Sequence, residues 1–95
     1  MAENSVLVQL QKAVEMKETT LAFSAILDAR MSDLKDMLSY YISAGFPSDI
    51  ANTYRNNYLY PDDEVISELS TRMKTEHVDF LDNVIDDLTV ASTRN

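Results

Sequence analysis

One histidine, His77, and no cysteine are all that this 95-residue chain offers to metal or thiol chemistry. A zinc or proton-transfer centre needs several ligands converging on one point, and His77 has no second His and no Cys to join it. Serines and aspartates are plentiful, so a Ser-His-Asp set could be assembled by residue type. The strained turn that exposes such a serine relies on neighbouring glycines, however, and the chain has only Gly45. The same scarcity removes glycine-rich phosphate cradles and the glycine-centred calcium loop. The expectation is a protein with no catalytic, cofactor-binding or metal-binding residues and no small-molecule substrate. It is not expected to be an enzyme. His77 falls on an apolar helical stripe and reads as a core or interface histidine.

The remaining chemistry is recognition. Sixteen acids against eight bases give a net charge of −8, which repels phosphate backbones and anionic lipid. Neither nucleic acid nor membrane is therefore an expected partner. Residues 61–95 carry nine of the acids and three of the bases. Glu76, Asp79, Asp82 and Asp86 share one helical face there. That face reads as solvated, as a dock for a basic protein, or as a mimic of nucleic-acid phosphates, with Arg72 and Lys74 diluting the mimicry. All five tyrosines, Tyr40, Tyr41, Tyr54, Tyr58 and Tyr60, fall within residues 40–60. An apolar ring with a polar tip suits half-wet interfaces.

These side chains need helices to hold them. Leu27, Met31, Leu34, Leu38 and Tyr41 step by four and three, the spacing of a coiled-coil seam. Val6 or Leu7, Leu10, Val14 and Leu21 form an earlier run. From Leu21 to Leu27 is six residues where a heptad steps by seven, so the helix either shifts register or bends at Thr19 and Thr20. With no Gly or Pro before residue 45, one helix over about 4–44 is the expectation. Ala44-Gly45-Phe46-Pro47 then reads as a left-handed glycine cap, an apolar closing residue and a stop. A short helix is expected over about 49–59, capped by Ser48 or Asp49. A third, over about 61–90, opens on Pro61 with three acids in its first turn. Its stripe is Ile66, Leu69, Met73, His77, Phe80, Val84 and Leu88. Residues 92–95 are expected to fray.

A helix of about 40 residues is ~60 Å long, too long for a spherical domain of this size. The fold class is therefore all-α: an elongated antiparallel helical hairpin or small bundle, forming one domain. Two helices bury little core, so some apolar surface should be covered by another protein or by a second copy. The candidate partner-binding residues are Leu27, Met31, Leu34, Leu38, Tyr41, Tyr54, Tyr58 and Tyr60. The N-terminus lacks the basic start of a secretion signal, and no run approaches a bilayer-spanning length. The cytoplasm is the expected compartment, although export without a cleaved signal would leave the same sequence.

In length, acidity, lack of Cys and a turn ending in Gly, the chain resembles the small secreted helical-hairpin proteins with a Trp-x-Gly turn. That resemblance implies a hairpin exported by a specialised secretion system. Here Ser43 stands where the family has its Trp. The function expected from the residues themselves is a protein–protein interaction module: a small helical adaptor, chaperone or inhibitor that acts through its apolar helix faces as a homo- or hetero-oligomer. The alternatives are the acidic nucleic-acid mimic and the exported hairpin.

Overall fold

In the computed structural model, which describes residues 2–93, the chain runs up one helix, reverses in four residues and returns along a second helical arm. Helix α1 spans Ala2–Ser43 without interruption, so Thr19 and Thr20 neither break nor bend it out of helix. The reversal follows from Gly45, whose φ of 103° is open to glycine and strained for any L side chain. Phe46 N–H donates to the Tyr41 carbonyl at 2.9 Å and Gly45 N–H to the Ile42 carbonyl at 3.2 Å. This is the Schellman pair, and it satisfies carbonyls that the helix end would leave bare. The return helix starts on the Pro47 carbonyl, which accepts from Ala51 N–H at 3.1 Å. Ser48 and Asp49 lie inside that helix, and no side chain caps it.

The second arm stays helical from Ser48 to Thr93. It consists of α2 (Ser48–Tyr54), a π-helical turn (Arg55–Leu59), α3 (Tyr60–Arg72), a second π-helical turn (Met73–His77) and α4 (Val78–Thr93). The separate helices expected over 49–59 and 61–90 are thus consecutive stretches of one arm. Pro61 does not break it, because the wide turn comes immediately before. Proline lacks an N–H and its ring crowds the carbonyl four residues back. A turn that already bonds five residues apart has moved that carbonyl aside. The helix also includes Ser92 and Thr93, placed in the frayed tail by the sequence; Arg94 and Asn95 lie outside the described residues.

The two arms meet along one seam. On α1 it passes through Leu10, Ala13, Lys17, Thr20, Ser24, Leu27 and Met31, then Lys35, Leu38 and Ile42, all buried or half-buried. The first seven keep strict heptad steps, so the six-residue step from Leu21 to Leu27 is no register shift. Leu21 lies off the seam, 38% exposed, while Thr20 and Ser24 carry the line. On the second arm Leu59, Ile66, Ser70, Met73, Val78, Leu81, Ile85 and Leu88 face α1. The five-residue step from Met73 to Val78 coincides with the second π turn. That extra residue rotates the buried face back toward α1, leaving Val78 half-buried and His77 exposed. His77 is therefore not a core histidine.

At mid-seam Ser24 and Ser70 are 0% and 1% exposed. Their hydroxyl oxygens lie 2.7 Å apart, and each hydroxyl also lies near the carbonyl of the other residue. Side chains this small let two backbones approach closely, and the paired hydroxyls satisfy each other there. The molecule measures 67 × 19 × 13 Å with a radius of gyration of 20.5 Å, against about 13 Å for a compact domain of 100 residues. Among the described residues no strand occurs, and no helix is long and apolar enough to cross a membrane.

Two outcomes are expected in urea unfolding followed by circular dichroism. Ser24→Leu or Ser70→Leu, which forces the arms apart, should destabilise by about 1–3 kcal/mol, whereas Ser24→Ala with Ser70→Ala should change little. Gly45→Ala meets no atom within 4 Å, so only its backbone resists; the loss should be about 1–2 kcal/mol.

Candidate docking surface

Helix α1 carries a second apolar stripe, about a quarter-turn from its seam. At 3.6 residues per turn, Met16, Phe23, Ile26, Leu34, Met37 and Tyr41 align along one flank. All six are exposed, Phe23 at 48% and Ile26 at 55%. The second arm adds to the same flank: Met16 and Thr20 share a shallow groove with Glu76, His77, Phe80 and Leu81, and Phe80 is exposed. An apolar band of this length is the usual mark of an interaction surface.

The opposite flank is built from charge. Lys17 reaches Asp82 at 2.7 Å, Lys74 reaches Asp28 at 2.6 Å, and Lys35 reaches Asp63 at 2.5 Å. These three pairs latch α1 to the second arm along the seam. All are partly exposed, so each alone contributes modestly; together they fix which way the arms face. Hydrogen bonds from Lys74 and then Ser70 hold the Asp28 carboxyl below its ordinary range. Asp79 and Asp86 point outward beyond the latch. A phosphate mimic needs dense uncommitted acids, and here Asp63 and Asp82 are bound to lysines while Glu76 is held by Arg72 at 3.0 Å.

The structure divides the residues singled out from sequence. Met31 is buried and Leu27 and Leu38 are half-buried in the intramolecular seam, whereas Leu34 and Tyr41 are exposed on the apolar flank. The single run Leu27–Tyr41 therefore straddles two surfaces. The tyrosines also separate. Tyr54 stacks on Tyr58 with ring centroids 6.2 Å apart, and Tyr40 pairs with Tyr41 at 5.9 Å. Tyr60 lines a different groove, with Lys35, Leu38, Ser39, Arg55 and Leu59. They form two pairs and a singleton, not one patch.

The candidate partner-binding residues read from sequence do not include Phe23, Ile26, Met37 or Phe80, all of which the structure leaves exposed. The signal was present in the six-residue step, which arises because Leu21 belongs to neither stripe. Among the described residues, no three of His, Asp or Glu come together as a metal site would require. Comparison with protein-family models, with curated proteins and with solved structures finds no match.

The latch makes a prediction about acid. Asp28 has a folded-state pKa below its unfolded value, so its stabilising contribution is complete above the ordinary carboxylate range and is lost as pH falls from there through the lowered folded-state value. Asp28→Asn should therefore destabilise the hairpin at pH 7 and leave little difference from the parent near pH 2. Urea midpoints across pH check this.

Proposed function

We propose that the chain is a non-enzymatic protein–protein interaction module, of the kind that serves as a small helical adaptor, chaperone or inhibitor, and that it docks through the apolar flank of α1. The observation that carries this reading is the stripe Met16–Tyr41, exposed at helical spacing on a helix whose other stripe is already occupied. Its natural complement is the apolar face of another helix, which supplies side chains at steps of three and four to the spaces between Phe23, Ile26, Leu34 and Met37. Met16 and Met37, unbranched and polarizable, adapt to whatever shape the partner presents. The ion-paired flank contributes solubility and orientation, since a partner approaching it meets outward acids and half-neutralised lysines.

Binding through apolar contact should be nearly indifferent to salt, whereas an acid-driven complex should weaken steeply as ionic strength rises. A photo-crosslinking amino acid placed at Phe23 or Asp86, in cells that make the protein, tests the reading. Adducts with protein are expected from position 23 and not from 86. Adducts from 86 alone would overturn it and move recognition to the acidic face.

A further inference from the structure

The exposed stripe also indicates what covers it. Thr19, Phe23, Ile26, Arg30, Leu34, Met37 and Tyr41 step by four, three, four, four, three and four. That order is the same from either end, with Arg30 at the centre. A two-fold axis through Arg30, perpendicular to the helix, therefore lays the stripe on a second copy of itself. Phe23 then meets Met37 of the other copy, Ile26 meets Leu34, and Thr19 meets Tyr41. Such self-complementarity is what an isologous dimer requires.

Area gives an independent argument. The hairpin exposes 6928 Å², whereas a compact monomer of its mass exposes about 5,500 Å². The excess comfortably exceeds the ~800 Å² that each partner contributes to a stable interface. The core within one copy is small: Ala13, Met31, Ala51, Leu59, Met73 and Leu81 are its buried apolar residues among those described. Charge selects the face. Copies meeting through the other flank would bring two sets of outward acids together in a chain of net charge −8. The apolar stripe of α1 carries one charged residue, Arg30, partnered by Asp33 at 3.7 Å, and Glu76, which borders the same flank from the second arm, is paired with Arg72.

We infer that the protein is a homodimer in which the α1 helices of two hairpins pack antiparallel through this stripe, closing an antiparallel four-helix bundle about Arg30. This rests on the reading of the flank as a docking surface and names its occupant. Arg30 is the one residue of the interface that opposes assembly, because it meets its own copy at the axis.

The chain has no cysteine, so single cysteines report cleanly. At the axis, helices packed 8–10 Å apart bring facing Cα atoms within about 4–6 Å, inside disulfide range. Arg30→Cys should oxidise to a covalent dimer, and Tyr41→Cys, ~33 Å from its copy across 22 residues, should not. Mixing Tyr41→Cys with Thr19→Cys should restore the cross-link. Arg30→Leu should tighten the dimer at least tenfold by sedimentation. Self-linking of Tyr41→Cys would overturn the antiparallel two-fold. A folded, monomeric parent with no cross-link from Arg30→Cys would overturn the homodimer outright. Adducts of a different protein at position 23 would then still uphold the docking surface, which keeps the two failures distinct.

Discussion

Two helices packed against each other bury one stripe apiece, and α1 carries two. Much of the structure follows from that mismatch. The return arm covers the stripe that runs through Leu10, Ala13, Leu27 and Met31. It has no second surface with which to reach Phe23, Ile26, Leu34 and Met37. Among the described residues no third helix lies against them, since those after the turn form the arm that covers the seam. The result is a 67 Å rod with one apolar side, the kind of exposed band that marks an interaction surface.

Polar groups decide which stripe is covered and which is left. The seam is the less apolar of the two in its middle, where Lys17, Thr20 and Ser24 replace the expected large side chains. Two of these have matched partners on the second arm, Asp82 for Lys17 and Ser70 for Ser24, with Lys74 closing on Asp28 one turn further along. Sliding the arms by one residue would strand buried hydroxyls and separate three ion pairs. Such pairs add little net stability. Their effect is to make other registers and other faces worse, so the apolar flank is exposed reproducibly and the charged flank stays turned away from it. The π turns serve the same alignment by keeping the buried face of the long second arm pointed at α1.

Much of the hairpin was legible in the sequence because its signals are local. Gly45, Phe46 and Pro47 mark the reversal through backbone sterics alone, and the absence of Gly and Pro before them marks α1. What escaped depends on the partner helix. Ser24, Ser70 and Lys17 do not look like seam residues until their counterparts, 46 or more positions away, are brought opposite. Pro61 looked like a boundary because its cost to an α-helix is real; the preceding π turn that relieves it has no sequence signature. The exposed apolar flank was half legible. Leu34 and Tyr41 were identified, but large side chains were grouped by size and spacing, so they were merged with Leu27, Met31 and Leu38 from the adjoining face. Separating them required the direction of the seam, which polar residues set.

Whether a second copy of the chain covers the exposed stripe is read from absolute mass in solution. Sedimentation equilibrium over a range of concentrations should give a species of twice 10.8 kDa that dissociates on dilution without losing its helix until the monomer predominates. A fully helical species of 10.8 kDa at every concentration would contradict it.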